Sequence, residues 1–140
     1  MEFRTRKLIR FAHCDPAGIG FYPRYVELVN EVVEDWCKDG IGVGFHDLHE
    51  VHRLGLPTVR LEMEFMIPSR YGDVLDFSLR ILRIGASSVT IEVCAMADEK
   101  LRFRGELVVA LTSLDSFRPV LIDDVWRPRF ERWLVTVASN

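Results

Sequence analysis

Long apolar runs are missing from this sequence: no stretch approaches the ~20 consecutive residues that a membrane-spanning helix needs. The first eleven residues, MEFRTRKLIRF, alternate polar with apolar side chains and do not form the apolar block of a signal peptide. The expectation is a complete, cytoplasmic chain with no membrane partner. Cysteine is scarce as well. Cys14, Cys37 and Cys94 are odd in number and widely spaced, with no CxxC pair, which argues against a disulfide framework or a zinc ribbon and leaves reduced thiols. There is no basic tract, and the formal net charge is −3, so the overall electrostatics speak against nucleic acid as a partner. A small polyanion needing two or three local Lys or Arg is not excluded. Internal repeats, linkers and low-complexity segments are also absent, which leaves a single unit over residues 1–140.

What is present is enough apolar material for a core, at 49% of 140 residues. Residues 2–11 have strand composition around Phe3, Ile9 and Phe11, with Thr5 and Lys7 blurring the apolar face. Tyr25, Val26, Val29, Val32, Val33, Trp36 and Cys37 follow a helical rhythm. Pro23 suits a first helical turn and Gly40 a helix end, which predicts a helix over Tyr22–Asp39. Residues 41–55 read as a loop followed by a short helix.

From there the period changes to two. Val59, Leu61, Met63, Phe65 and Ile67 face one way, with Arg60, Glu62 and Glu64 opposite. Strands are predicted next over Val74–Arg83, Ser88–Met96 and Leu101–Leu114, separated by short turns at 70–73, 85–87 and 98–100. Connections this short require antiparallel pairing. The half-polar strands imply one covered face, and the long helix is the natural cover. A second amphipathic stretch, IDDVWRPRFERWLVTV, is predicted to close the chain as a helix, with Asp123 or Asp124 near its start. The class is α+β.

One carboxylate stands apart. In FAHCDPAGIGFYPRY, Asp15 precedes Pro16, Ala17 and Gly18. Asp before Pro is a common turn element, because proline pushes the preceding residue to extended geometry and the Asp side chain accepts nearby N–H groups. The alternative is chemical. A helix starts about seven residues on, and its first N–H groups are unpaired and partially positive. Pro23 has no N–H, so the free donors there would be those of Phe21, Tyr22 and Arg24. A nearby ionised carboxylate could attack a carbonyl or draw a proton from water.

The run Cys14-Asp15-Pro16-Ala17-Gly18-Ile19, continued by Phe21-Tyr22-Pro23 and Tyr25, resembles the signature of hot-dog-fold acyl-CoA thioesterases, most nearly the 4-hydroxybenzoyl-CoA thioesterase branch. Leu56-Pro57-Thr58 and Tyr71-Gly72-Asp73-Val74-Leu75 extend the likeness. It implies an antiparallel five-stranded sheet wrapped around a long central helix. It also implies that Asp15 is the catalytic carboxylate, as nucleophile or as base for water, and that the Tyr22 N–H polarises the thioester carbonyl. Sites at a subunit interface are implied too, hence a homodimer or a homotetramer built as a dimer of dimers. No metal or redox cofactor is implied, coenzyme A being part of the substrate. Where the hydroxybenzoyl enzyme carries a helix carboxylate for the phenol hydroxyl, this chain has the neutral Asn30. The basic cluster after the third strand is reduced to Arg83, a candidate for a coenzyme A phosphate together with Arg70 or Arg80. Phe21, Tyr22 and Tyr25 are candidates for aromatic walls.

Other residues compete for roles. Glu27 and Glu31 are alternative pocket acids, since another hot-dog branch places its catalytic carboxylate on the long helix, whereas Glu34 and Asp35 read as a solvated face. Cys14 reads as a small buried thiol rather than a nucleophile. His46, His49 and His52 recur every third residue, but His49-Glu50-Val51-His52 is one residue short of HExxH. His13 either tunes the pocket or caps the loop. Trp126, Phe130, Trp133 and Leu134 read as packing. The expected activity is hydrolysis of an acyl-CoA or aroyl-CoA. The alternatives are a short- or medium-chain thioesterase acting on coenzyme A or acyl carrier protein, and a non-catalytic acyl-CoA-binding regulator.

Overall fold

A computed structural model describes residues 1–136. Five strands form one antiparallel sheet in the order β1-β4-β5-β6-β3, where β1 is Phe3–Leu8, β3 is Thr58–Phe65, β4 is Val74–Ile84, β5 is Ser88–Ala97 and β6 is Lys100–Ala110. A two-stranded ribbon pairs β2 (Leu54–Gly55) with β7 (Thr112–Ser113). The helix α1 (Tyr22–Asp35) lies on one face of the sheet and continues as a wider π-helical stretch through Trp36–Ile41. The expected helix over Tyr22–Asp39 is therefore present, with its last turns loosened.

Period-two strands and a 3.6-period helix meet in the core. Tyr25, Leu28, Val29, Val32, Val33, Trp36 and Cys37 are buried against Leu75, Phe77, Leu79, Ile81, Ile91, Val93, Phe103 and Leu107. Leu28 enters the core, while Val26 is half-buried at the helix edge. Thr5 and Lys7 sit on the helix side of β1, and Lys7 reaches Asp35 on α1 at 2.7 Å. That ion pair explains why an apolar face carries a lysine. The opposite sheet face is charged: Arg80, Glu92, Arg104 and Glu64 form a ladder with contacts of 2.8, 3.1 and 2.7 Å around the buried Glu92.

Bulges account for the remaining departures. In β3 the register shifts between Thr58 and Arg60, making Val59 the extra residue, so it leaves the helix face predicted for it. In β6 the register passes from Ala95↔Phe103 to Met96↔Leu101, which makes Arg102 extra. Its guanidinium turns to the β3–β4 connection, where Nη1 donates to Pro68 O, Ser69 Oγ and Asp73 Oδ2, each at 3.2 Å.

The first strand stops at Leu8 and a 3₁₀ turn follows at Phe11–His13, so the expected strand over 2–11 is shorter. The short helix expected within 41–55 is α2, Phe45–Glu50. The strand expected over Leu101–Leu114 breaks after Ala110, and its end joins the ribbon. The closing helix α3 spans only Arg127–Glu131. Asp123 Oδ1 accepts the Val125 and Trp126 N–H groups before it, and after it Leu134 bridges to Ile81. Val137, the last residue of that predicted helix, lies outside the described residues.

Candidate active site

The segment 13–15 folds back on 19–21 as a tight antiparallel loop. Phe21 N–H donates to His13 O at 2.9 Å, Cys14 bridges to Gly20, and Asp15 N–H donates to Ile19 O at 3.0 Å. Its outer arm joins the β3–β4 connection: Ile19 bridges to Arg70, and Gly20 N–H donates to Ser69 O at 2.8 Å. The same arm runs directly into α1. Asp15 and the first turn of the helix therefore belong to one hydrogen-bonded unit.

The two oxygens of the Asp15 carboxylate stand in different surroundings. Oδ1 accepts the Ala17 N–H at 2.8 Å, the turn bond expected of Asp before Pro. Oδ2 accepts no hydrogen bond among the described residues, and the residue is half-buried. Gly18, at φ +81°, closes the turn with a conformation that side chains resist.

Of the three donors expected at the helix start, two are used internally. Phe21 N–H is bonded to His13 O, and Arg24 N–H donates to Phe21 O at 2.8 Å. The Tyr22 N–H alone of the three has no acceptor among the described residues. It stands at the positive end of a 14-residue helix whose next residue is Pro23.

An open, largely apolar cavity of about 300 Å³ adjoins Tyr22, lined by Ile19, Gly20, Tyr22, Tyr25, Phe65 and Pro68. Asp15 does not line it. Phe21 and Tyr22 are exposed and in edge contact at 5.6 Å, and Tyr22 meets Phe65 at 6.2 Å. Tyr25 is buried, stacked on Phe103 at 4.6 Å, and its hydroxyl accepts the Ser69 N–H. Gly20 packs so closely on that ring that any side chain would overlap it.

Asn30 lies elsewhere, in an apolar groove of about 480 Å³ between α1 and β3, with Glu27, Glu31, Leu61 and Leu107. Glu27 is paired with Arg24 at 2.8 Å. Arg83 is not brought to Asp15 within the chain: it is exposed on the sheet face away from α1, in a crevice with Arg60, Glu62 and Glu106. Arg80 is occupied in the Glu92 ladder. Cys14 donates its thiol to Arg10 O at 3.6 Å and packs on the core. His13 caps the loop, its Nδ1 accepting the Arg10 N–H at 2.8 Å. Among the described residues no group of three or more His, Cys, Asp or Glu is placed to hold a metal; His49 packs on Phe45 and His52 on Trp126. No helix among them is long and apolar enough to cross a membrane.

Two positions with no sequence signal shape this site. Ser69 is fully buried and offers its backbone to both Tyr25 and Gly20. Arg102 braces the same connection, and only the bulge, invisible to a period-two reading, aims it there.

The profile of the Thioesterase-like superfamily matches residues 9–134. The chain belongs to that superfamily. Its members share the hot-dog architecture found here, five antiparallel strands around a long helix. The chain is similar to the 1,4-dihydroxy-2-naphthoyl-CoA hydrolase of Prochlorococcus marinus strain MIT 9515, with 24% identity over 96% of this chain and 89% of that protein. The likeness to the 1,4-dihydroxy-2-naphthoyl-CoA hydrolase of Picosynechococcus sp. is 29% identity, spanning 56% of this chain and 53% of that protein. A thioesterase superfamily structure from Jannaschia sp. CCS1 superimposes with a TM-score of 0.90 at 25% identity, over 96% of this chain and 94% of that one. Among the described residues of this chain, the Tyr22 N–H and the second Asp15 oxygen, on the two arms of one loop, are both left without a hydrogen bond.

Proposed function

We propose that this protein hydrolyses an acyl-CoA or aroyl-CoA thioester to the free acid and coenzyme A. The observation that carries the reading is the Tyr22 N–H, left unpaired at the start of α1 by a loop that also holds Asp15 with one oxygen uncommitted. As the thioester carbonyl is attacked its oxygen gains negative charge, and a fixed backbone donor at a helix start favours that charge over the neutral ground state. Asp15 acts by one of two routes. It adds to the carbonyl carbon and expels the coenzyme A thiolate, leaving an anhydride that water opens, or it takes a proton from a water that attacks directly. The products are the same.

The names of the Prochlorococcus and Picosynechococcus relatives support a hydroxylated aromatic acyl group. The rings of Phe21, Tyr22 and Phe65 would flank the thioester, with Tyr25 as the buried floor beneath. The groove at Asn30 would take the far end of an acyl group. It offers an uncharged amide between Glu27 and Glu31 above Val29, Leu61 and Leu107. Asp15 lies outside both apolar recesses, which fits a site completed by a second copy of the chain. Arg83, on the other sheet face, receives no role at this carbonyl.

The test is a thioester panel followed by free-thiol release, with Asp15→Asn and Asp15→Ala beside the wild type. Asparagine keeps an oxygen for the Ala17 N–H, so the turn survives while the charge is lost. A fall in kcat of at least ~100-fold with an unchanged fold is expected for loss of the catalytic carboxylate. Retained turnover would move the chemistry to Glu27 or Glu31. Absence of turnover with tight coenzyme A binding would make the protein a regulator, and turnover confined to acyl carrier protein thioesters would change the substrate.

A further inference from the structure

Beside the Asp15 loop the surface carries two features that the hydrolytic chemistry leaves unused. Phe11 and Tyr71 are exposed, at 77% and 51%, yet their rings meet each other edge to face at 5.7 Å. Next to each in sequence stands an exposed arginine, Arg10 and Arg70, and neither forms an ion pair among the described residues. Other arginines nearby are engaged: Arg24 by Glu27 at 2.8 Å and Arg102 by Asp73 at 3.2 Å.

Hydrogen bonds hold the four residues in place. Ile9 exchanges bonds with Gly72 and Asp73, each at 2.8 Å, so the Arg10–His13 turn and the Arg70–Asp73 turn are pinned side by side. His13 fixes the Arg10 N–H, and Asp73 Oδ2 accepts the Arg70 N–H at 2.9 Å. The Asp73 charge is also met by Arg102, so it does not neutralise the Arg70 guanidinium. Arg70 pairs with Ile19, which in turn accepts from Asp15. Its backbone thus lies two strand spacings, roughly 10 Å, from that of the carboxylate, a span a pantetheine arm can bridge.

We infer that Arg10, Phe11, Arg70 and Tyr71 form the subsite for the nucleotide end of the coenzyme A thioester, an adenine ring with a 3′-phosphate and a pyrophosphate. The inference rests on the acyl-CoA reading above. An open aromatic face is what a purine stacks on, and unpaired guanidinium groups bind phosphate through two parallel N–H donors. The backbone of both turns is already ordered, so ordering on binding is confined to the side chains. In a chain of net charge −3, two arginines without an ion pair among the described residues, flanking exposed rings beside the Asp15 loop, are an arrangement suited to a polyanion with a flat base.

The experiment compares one acyl group presented as its coenzyme A thioester and as its N-acetylcysteamine thioester, which lacks the nucleotide, and also titrates the full chain with adenosine 3′,5′-bisphosphate by calorimetry. In Arg10→Ala/Arg70→Ala and in Phe11→Ala/Tyr71→Ala, the preference for the coenzyme A thioester in kcat/KM is expected to fall at least about tenfold, mainly through KM. Bisphosphate affinity should fall in parallel, and the Arg10→Lys/Arg70→Lys variant should recover part of it. Equal losses on both thioesters, no loss on either, or a loss produced by Arg83→Ala in place of these variants would overturn the subsite. If the wild type hydrolyses nothing in the panel, the acyl-CoA reading fails by itself. The calorimetry then still decides the subsite, which is overturned if the wild type does not bind the bisphosphate or the variants bind it equally well.

Discussion

The phenol oxygen of Tyr25 accepts the Ser69 N–H at 3.1 Å, and this bond fastens the buried face of α1 to the turn that pairs with the Asp15 loop. Ser69 is fully buried, so no water is on hand to replace that acceptor. Tyr25→Phe keeps the ring stacked on Phe103 and removes only the oxygen. A buried donor left unpaired costs about 1–3 kcal/mol. For a domain of this size that corresponds to a Tm lower by several degrees. Thermal unfolding checks this, and an unchanged Tm would mean that Ser69 finds another partner. The same variant should lose turnover, because Ser69 and Arg70 carry the outer arm of the loop.

Gly20 presents the reciprocal case. A methyl group there would overlap the Tyr25 hydroxyl and the ring carbons next to it, neither of which can move without disturbing the Phe103 stack. Gly20→Ala is expected to destabilise the fold by about 1–3 kcal/mol, the usual cost of overpacking. Urea denaturation measures it. A silent substitution would show that α1 yields more easily than this packing implies.

Burial pushes the Cys37 thiol from its ordinary value of 9.0 up to about 12, with Glu34 adding to the shift. A raised value means that the folded chain keeps this proton while the unfolded chain has lost it. Between pH 9 and 12 the folded state therefore binds more protons, and stability declines as pH rises, by at most about 1.4 kcal/mol per pH unit from this one group. Below pH 9 the group contributes no slope. Urea midpoints across that window should fall less steeply in Cys37→Ala, and in the folded wild type a thiol reagent at pH 8 should leave Cys37 unmodified. Rapid labelling without unfolding would contradict the burial.

Much of this was legible because the signals were local. The Tyr25 to Cys37 rhythm, the alternation along the strands and the Asp-Pro-Ala-Gly turn each depend on residues close in sequence. What escaped depends on distant partners. The bulges that displace Val59 and re-aim Arg102 are set by pairing between strands, and a period-two count does not register an extra residue. The helix start shows the same division. Sequence named three free donors, but the His13 carbonyl that consumes the Phe21 N–H arrives only through loop closure. Arg83 falls on the far face because the register slips by one residue between Ile81 and Arg83.

The groove at Asn30 gives a prediction about selectivity. If the amide meets a hydroxyl on the acyl ring, Asn30→Ala removes one neutral hydrogen bond, worth about 0.5–1.5 kcal/mol and so about two- to tenfold in kcat/KM. The loss should appear with a hydroxyaroyl-CoA and be absent with the unsubstituted aroyl-CoA. Parallel losses on both substrates would assign Asn30 to packing.

The two edges of the sheet differ in a way that bears on assembly. At one edge β1 carries Arg4, Arg6 and Lys7, charges that discourage another strand from pairing there. At the other, β3 leaves Val59, Leu61 and Phe65 exposed and runs on into exposed Met66 and Ile67. An apolar edge with unpaired backbone groups is a template for pairing, and two copies related by a two-fold axis would meet there antiparallel. The wild type is then expected as a dimer or as a tetramer made of two such dimers, each chain contributing 16.2 kDa. Leu61→Arg places a charge in the middle of that edge on a side chain already 40% exposed, so the fold tolerates it while the contact does not. Light scattering after size exclusion should show the mass reduced by at least half. Activity should fall with it, since the groove holding Asn30 is lined by Thr58 and Leu61 of the same edge strand. A wild type that runs as a single chain at micromolar concentration, with full turnover, would remove the second copy from the site.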